Sequence, residues 1–254
     1  MSVIIDNINV FFGKWAFQNL SYFSHMKTPV LLLHGALGSA AMLEPLVAQL
    51  QAADMPVRTL NLPGHGGLPL PESFSMPAFM QAVEEYTADW MPFKVFGYSM
   101  GGYVALLLAA MRPLRVEAVA TLGTKFDWTP ESAAKETARL NPTLMLEKIP
   151  AFVQLLSTRH GADKWETVVN HTAGLLTRLG ESPDLRQATL EEIICPVFIG
   201  RGSLDTGVTR KESEAAANAI SNGQYIELQD VKHPFEQVSE TVLADYLKKT
   251  ILAL

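Results

Sequence analysis

Short apolar runs alternate with longer amphipathic stretches along most of the chain. The apolar runs predict buried strands at residues 30–33, 57–62, 94–98, 116–122, 194–200 and 224–228. The amphipathic stretches predict helices at residues 39–51, 75–90, 100–111, 208–220 and 234–252, with Ser39 and Ser75 as candidate N-caps. Strands that alternate with helices in this way are typical of βαβ units. We therefore expect an α/β fold in which helices flank a mostly parallel, twisted sheet.

The alternation stops between residues 125 and 190, where the pattern is helical throughout. Such a stretch is much longer than a connection between neighbouring strands and helices, which usually has about 2–6 residues. We expect a helical cap that is inserted at one end of the sheet and covers a site there. The predicted organisation is a first core segment at residues 1–124, a cap at 125–190 and a second core segment at 191–254.

The composition fits a folded protein that buries a large core. Of the 254 residues, 48% are hydrophobic and 18% are charged, which excludes a disordered chain. The net charge of −6 argues against nucleic acid and anionic membranes as partners, because both select clustered Lys and Arg. The first residues lack the pattern of a signal peptide, and no apolar run approaches membrane-spanning length. We expect a cytoplasmic protein without membrane insertion, and the sequence leaves its oligomeric state open.

The residues that commonly bind metals or cofactors do not form a recognisable pattern. The single cysteine, Cys195, excludes an internal disulfide and a cysteine-based zinc site. The six histidines are dispersed without metal-ligand spacing, and the sequence has no P-loop or dinucleotide-binding motif. We therefore expect neither a metal nor a cofactor.

The strongest local motif is Gly97-Tyr98-Ser99-Met100-Gly101, a G-x-S-x-G sequence. It lies where a predicted strand ends and a predicted helix begins, as a nucleophile elbow requires. Glycines on either side of the serine allow the strained turn that lifts its hydroxyl clear of the sheet. Ser99 is therefore the candidate nucleophile, although a glycine-rich turn with a serine N-cap would give the same pattern.

A second motif, His34-Gly35-Ala36-Leu37-Gly38, follows the first predicted strand. Acyl transfer needs backbone N–H groups directed at the oxyanion that develops on the substrate. A loop beside the elbow supplies one of these groups, and the residue after the nucleophile supplies the other. We assign the two donors of the oxyanion hole to Ala36 and Met100.

A candidate base and a candidate acid follow later strands. His233 comes after the last predicted strand, and Asp205 comes after the strand at residues 194–200. Because sites in parallel sheets form at the carboxyl ends of the strands, Ser99, Asp205 and His233 are expected to converge. Asp127 is an alternative acid, since it follows the strand at residues 116–122. The histidines interpreted as surface, loop or cap residues are His25, His65, His160 and His171.

These motifs, together with Leu62-Pro63-Gly64-His65-Gly66, resemble those of the α/β-hydrolase fold superfamily. The resemblance covers nearly the whole chain, and the predicted cap matches the variable insertion of that family. It is greatest to small bacterial esterases and acyl hydrolases, which implies a triad enzyme that needs no cofactor. Asn61 departs from the pattern because many relatives carry Asp there, and we expect this to change only local hydrogen bonding.

The resemblance implies a serine hydrolase that cleaves an ester or related acyl bond of a small molecule. Ser99 would be the nucleophile, His233 the base and Asp205 the residue that orients the base, and an acyl-enzyme would form. An apolar acyl pocket is expected beneath the cap. The candidate substrate-binding residues are Leu37, Tyr98, Trp128 and Phe152.

Two alternative functions follow from the same motifs. A lyase resembling the menaquinone-pathway synthase would use the triad as a base, but that enzyme usually has Arg where this chain has Tyr103. A non-catalytic ligand receptor could also use this fold, because fold does not fix function. The cap arginines that could compensate for Tyr103 in a lyase are Arg139, Arg159, Arg178 and Arg186.

Overall fold

The computed structural model describes residues 27–90 and 92–254. Its six strands are β1 (Val30–Leu33), β2 (Val57–Thr59), β3 (Phe93–Tyr98), β4 (Val116–Leu122), β5 (Val197–Gly202) and β6 (Gly223–Leu228). They form one sheet in the order β2-β1-β3-β4-β5-β6, and every neighbouring pair is parallel. The expected α/β fold is confirmed. The prediction about a signal peptide concerns residues 1–26, which lie outside the described residues.

Helices connect the strands. The α-helices are α1 (Glu44–Gln51), α2 (Met76–Tyr86), α3 (Met100–Met111), α4 (Pro130–Thr137), α5 (Pro142–Lys148), α6 (Pro150–His160), α7 (Trp165–Glu181), α8 (Gln187–Glu191), α9 (Arg210–Ala219) and α10 (Glu240–Lys249). Short 3₁₀ helices lie at Ala40–Leu43 and Phe235–Gln237. None of the described helices combines the length and the apolar character that a membrane crossing needs.

Several predicted strand ends differ from the observed ones. β2 stops at Thr59 because the chain then leaves the sheet, and the Leu62 N–H donates to His34 Nε2 at 3.1 Å instead. β5 begins at Val197 rather than three residues earlier, since Pro196 has no N–H to donate to a neighbouring strand. The strand at 116–122 and the helix at 100–111 have the predicted bounds.

Three predicted helices are shorter or broken. Ser39 precedes a 3₁₀ turn and makes no side-chain cap, because the α-helix starts later, with a proline in its first turn. Ser75 does cap α2, accepting the Ala78 N–H at 3.4 Å, but the helix ends at Tyr86 and not at residue 90. The helix predicted at 234–252 divides into a 3₁₀ turn and α10, because Val238 between them has an extended backbone.

Two apolar cores lie on opposite faces of the sheet. Leu31 and Leu33 pack on one face with α2 and α3, whereas Val30 and Leu32 pack on the other with α1 and α10. Successive side chains of a strand point to opposite faces, so a strand with both faces covered is apolar throughout. The central strands therefore hold their carboxyl ends in fixed positions at one edge.

Between β4 and β5 the chain forms the five helices α4–α8. We call residues 125–190 the insertion. The side chains of Thr129 and Asn141 cap the helices α4 and α5, accepting the N–H groups of Ser132 and Leu144. The insertion has an apolar cluster of its own, which includes Met145, Leu156 and Trp165 and into which Leu37 of the core also packs. The division of the chain into core and cap segments stays a prediction.

Both ends of the insertion are bonded to the core. At its start, Glu212 Oε2 accepts the N–H groups of Phe126 and Asp127 at 3.0 and 2.7 Å. At its end, the Leu185 N–H donates to the hydroxyl of Tyr103 in α3 at 2.7 Å. Glu212 is 8% exposed, and its other oxygen accepts the N–H of Thr209, the N-cap of α9. One buried carboxylate therefore joins the insertion to the start of α9.

We expect Glu212→Gln to lower the free energy of unfolding by about 1–3 kcal/mol, because an amide NH₂ would face one of the three N–H donors. Glu214→Gln is the matched control. Glu214 lies on the same helix, but it is paired with Arg210 at the surface, where its side chain is 40% exposed. Loss of the Glu214 charge should change the free energy of unfolding by less than about 0.5 kcal/mol. Urea denaturation followed by circular dichroism measures both variants, and equal losses would contradict the role given to Glu212.

Candidate active site

Ser99 lies at a sharp turn between β3 and α3, with φ 50° and ψ −114°. Its N–H donates to the Leu122 carbonyl at 2.8 Å, which fixes the turn to the neighbouring strand. A Cβ at Gly97 would lie 2.3 Å from the Gly101 oxygen, and one at Gly101 would lie 2.5 Å from the Leu33 oxygen. The two glycines of the motif are thus required by close backbone approach, and the turn has the geometry expected of a nucleophile elbow.

His233 and Asp205 are paired at the carboxyl edge of the sheet. His233 Nδ1 lies 2.8 Å from Asp205 Oδ2, and the Asp205 side chain is 1% exposed. Asp205 Oδ1 accepts the N–H groups of Gly207 and Val208 at 2.8 and 2.9 Å. Burial raises the pKa of Asp205, but the hydrogen bond and charge of His233, with the two N–H groups, outweigh it and hold the pKa below its usual value. The carboxylate is therefore ionised and orients the imidazole.

Asp127, the alternative acid, lies elsewhere. Its side chain is exposed, and its backbone N–H donates to Glu212. The structure brings Asp205 to His233, and Asp127 belongs to the start of the insertion.

Residues 35–38 form a tight turn beside the elbow. The Gly38 N–H donates to the Gly35 carbonyl at 3.0 Å, and Leu37 has a left-handed φ of 56°. The turn is close to the serine, because a Cβ on Gly35 would lie 3.2 Å from Ser99 Cβ. Among the described residues, no acceptor takes the N–H of Ala36 or of Met100. Two donors are thus free beside Ser99. We call residues 35–38 the oxyanion loop.

A cavity of about 860 Å³ joins these groups, since Ser99 and His233 both line it. Most of the lining is apolar and comes from the core and the insertion together. The four residues predicted to bind substrate all line this cavity: Leu37, Tyr98, Trp128 and Phe152. Charged residues at the wall are Lys125, Glu136, Arg139, Arg159 and Glu236.

Tyr98 and Leu37, two of the four predicted substrate-binding residues, have a further structural role that the sequence pattern did not indicate. The Tyr98 hydroxyl donates to the His233 carbonyl, and its ring packs edge-on against Phe235 at 4.9 Å. Burial raises the pKa of Tyr98, so this hydroxyl stays protonated and acts as a donor. Leu37 is 6% exposed and packs into the apolar cluster of the insertion.

His65 lies in the loop after β2 and His160 at the end of α6, in agreement with their interpretation as loop or cap residues, and both are buried. Their rings pack with that of His34, with centroids 5.1 Å apart for His34 and His65 and 5.7 Å apart for His65 and His160. No spacing rule relates residues 34, 65 and 160, so only the tertiary fold could reveal this cluster. His171 is exposed as expected, and His25 lies outside the described residues.

Burial keeps the three clustered histidines neutral. It lowers the pKa of His34 to about 4 and the pKa of His65 well below its usual value, and it lowers the pKa of His160 as well. Each ring also accepts or donates in a way that fits the neutral form. His34, for example, accepts the Leu62 N–H at Nε2 and lies 2.8 Å from the Gly35 carbonyl at Nδ1. His34 therefore joins the start of the oxyanion loop to the chain after β2.

Asn61, which departs from the family pattern, bonds the chain just after the oxyanion loop. Its Oδ1 accepts the Ala40 N–H at 2.7 Å. Within residues 27–90 and 92–254, no group of three or more His, Cys, Asp or Glu side chains could hold a metal ion.

Comparison with known proteins adds independent findings. A family model described as alpha/beta hydrolase fold matches residues 28–185. A pimeloyl-(acyl-carrier protein) methyl ester esterase of Neisseria meningitidis serogroup C is 25% identical over 237 residues, covering 85% of this chain and 91% of the relative. The biotin biosynthesis bifunctional protein BioHC of Cellvibrio japonicus is 35% identical over 98 residues, which are 38% of this chain and 19% of that protein.

Solved structures share the fold at lower identity. NosK from Streptomyces actuosus superposes with a TM-score of 0.75 at 20% identity, covering 88% of this chain and 97% of that one. The enol-lactonase from Burkholderia xenovorans superposes with a TM-score of 0.67 at 21% identity, covering 91% and 92%. These likenesses cover a larger share of the chain than the family model does.

The histidine cluster makes stability depend on pH. The folded protein keeps these rings neutral, whereas the unfolded chain takes up protons near pH 6.5, so acid favours unfolding. We expect the free energy of unfolding to fall as the pH drops below 7, and the pKa of about 4 for His34 alone implies a loss on the order of 3 kcal/mol by pH 4. Urea denaturation between pH 7.5 and 4.5 measures this slope.

Two variants test the origin of that slope. His34→Asn should flatten it, because one buried group no longer titrates. His171→Asn should leave it unchanged, since His171 is exposed. If the free energy of unfolding of His34→Asn depends on pH as strongly as that of the wild type, the assignment of this dependence to the histidine cluster is wrong.

Proposed function

This chain belongs to the α/β-hydrolase fold family, and from that premise we propose that it is a serine hydrolase that cleaves carboxylic esters. The observation that carries the proposal is the meeting of three groups at one cavity. The strained turn at Ser99, the His233–Asp205 pair and two free backbone N–H donors all belong to the same site.

We propose the following course of reaction. His233 Nε2 takes the proton of the Ser99 hydroxyl as the serine oxygen attacks the ester carbonyl carbon. The carbonyl oxygen becomes an oxyanion, which the N–H groups of Ala36 and Met100 stabilise. When the tetrahedral intermediate collapses, the alcohol leaves with the proton from His233. Water then gives a proton to His233 and attacks the acyl-enzyme. The acid is released as the Ser99 oxygen takes that proton back from His233, which restores the free enzyme.

Asp205 and Tyr98 position the base in this reaction. Asp205 accepts from His233 Nδ1 and so leaves Nε2 free to act as the base. Tyr98 bonds the backbone carbonyl of His233 from the other side. The base is therefore held at its side chain and at its backbone by two buried residues.

The cavity supports an acyl substrate of moderate size. Its volume of about 860 Å³ and its mainly apolar lining suit a carbon chain better than a highly charged molecule. The relatives named as methyl ester esterases support an ester of an acyl chain with a small alcohol.

Three side chains at positions that matter for a lyase form hydrogen bonds within the protein. The Tyr103 hydroxyl accepts a backbone N–H, and Arg178 and Arg186 donate to the carbonyls of Phe74 and Pro183. Of the four insertion arginines, only Arg139 and Arg159 line the cavity. These contacts favour the hydrolase over the lyase. The net charge of −6 also fits a small-molecule substrate rather than nucleic acid.

Ser99→Ala should lower kcat/KM for p-nitrophenyl esters by at least about 10³-fold, because it removes the nucleophile and leaves only binding and oxyanion stabilisation. Acetate, butyrate, octanoate and palmitate esters would also measure the chain length that the cavity accepts. Ser73→Ala, at an exposed serine, is the control and should retain activity. Wild-type turnover by Ser99→Ala would refute the proposal.

Tyr98→Phe should lower kcat about tenfold with little change in KM, since the ring stays in place and only the bond to the His233 carbonyl is lost. Tyr225→Phe is the matched control. Its hydroxyl donates to Glu227 at 2.9 Å on β6, away from the cavity. Steady-state hydrolysis of a p-nitrophenyl ester compares the two, and an equal effect of both changes would argue against positioning by Tyr98.

A further inference from the structure

We propose that Arg159 and His160, the last two residues of α6, are positioning residues that hold the oxyanion loop in its catalytic conformation. The inference rests on the proposed function, because it assigns the Ala36 N–H to an oxyanion. It adds that the insertion completes the oxyanion hole as well as covering the cavity.

The oxyanion loop adopts a conformation that its sequence does not favour. Leu37 has a φ of 56°, a region that a residue with a branched, bulky side chain seldom occupies. The Gly38–Gly35 hydrogen bond closes the turn, but it does not select the left-handed form of Leu37 on its own. Such strain persists only where the surrounding structure holds it. The groups that contact Leu37 therefore decide whether the Ala36 N–H stays directed at the site.

Two donors from the insertion converge on the carbonyl of Leu37. Arg159 Nη1 donates to it at 2.7 Å, and His160 Nε2 lies 3.0 Å from it. A carbonyl oxygen has two lone pairs, so these two contacts fill its capacity and fix the plane of the Leu37–Gly38 peptide. The Leu37 side chain is held as well, because it packs among Met145 and Leu156 of the insertion. The insertion thus fixes both the carbonyl and the side chain of the strained residue.

His160 is itself fixed at its second nitrogen. The Gly66 N–H donates to His160 Nδ1 at 3.1 Å, so Nδ1 carries no proton and Nε2 is the donor to Leu37. The ring packs against His65 with a centroid distance of 5.7 Å. His160 therefore bridges the oxyanion loop and the glycine-rich loop after β2.

Arg159 reaches the segment that carries the base. Its Nη2 donates to Glu236 Oε1 at 2.9 Å, and Glu236 lies three residues after His233. The Arg159 side chain is 7% exposed, so solvent screens these bonds little. One guanidinium thus joins the oxyanion loop to the segment of the base, and both contacts need its forked, planar geometry.

Kinetics of Arg159 variants test this proposal. Arg159→Met should lower kcat for a p-nitrophenyl ester about 10- to 100-fold with KM changed less than about threefold, because a misdirected donor affects the transition state more than the bound ester. Arg159→Lys should recover part of the loss, since it keeps the charge and one donor. Arg178→Met is the matched control: Arg178 also joins the insertion to a core carbonyl, that of Phe74, but it does not line the cavity. It should stay within about twofold of the wild type.

A trifluoromethyl ketone supplies the decisive readout. It adds to the serine to form a tetrahedral oxyanion, so its inhibition constant reports on the hole itself. In Arg159→Met this constant should rise by the same factor by which kcat/KM falls. An unchanged constant, or a change confined to KM, would overturn the proposal by making Arg159 a structural or substrate-binding residue. Turnover by Ser99→Ala would instead refute the proposed function.

His160 variants keep the test valid if Arg159→Met does not fold. His160→Gln preserves one donor and one acceptor at similar positions, whereas His160→Leu removes both. We expect kcat of His160→Gln within about threefold of the wild type and kcat of His160→Leu at least about tenfold lower. Equal activity of the two variants would contradict a positioning role for His160.

Discussion

The backbone at Ser99 is left-handed, and the rest of the site is arranged around that turn. No side chain fits at Gly97 or Gly101, because the turn brings β3, the start of α3 and the end of β1 into backbone contact. The same contact places the oxyanion loop, which leaves β1, directly beside the serine. Neighbouring strands then carry Asp205 and His233 to the same edge. A change that opened this turn would separate groups that come from four different parts of the chain.

The sequence predicts those parts of the site that depend on local patterns and on the rule that parallel strands end at one edge. Ser99, Asp205 and His233 each follow an apolar run, so their convergence follows from the sheet alone. The bond from Glu212 to the insertion does not follow, because Phe126 and Asp127 lie more than eighty residues away from it and no spacing relates them. The same holds for Arg159 and His160, which look like ordinary polar residues at the end of a helix.

The predicted ends of the helices also show how far the sequence pattern can be used. The pattern places the helix at 100–111 correctly because its apolar residues are buried on nearly every side. It fails at 234–252, where helical spacing continues across Val238 although the backbone there is extended. The tertiary position of the base requires that interruption, since the chain must turn at the 3₁₀ segment before α10 can pack on the second core. The spacing of apolar residues indicates which side chains are buried, but it does not indicate where the backbone turns.

The insertion is fastened at its start through Glu212 and at its end through Tyr103, and both anchors lie in core helices. Evolution can therefore change the length and composition of the intervening helices without altering the register of the sheet. Substrate preference can drift in this segment while the chemistry at the sheet edge stays constant. The carbonyl of Leu37 limits that freedom, because a replacement segment would have to bring its own donors to it. Recombination of such segments between relatives should succeed most often where those donors are retained.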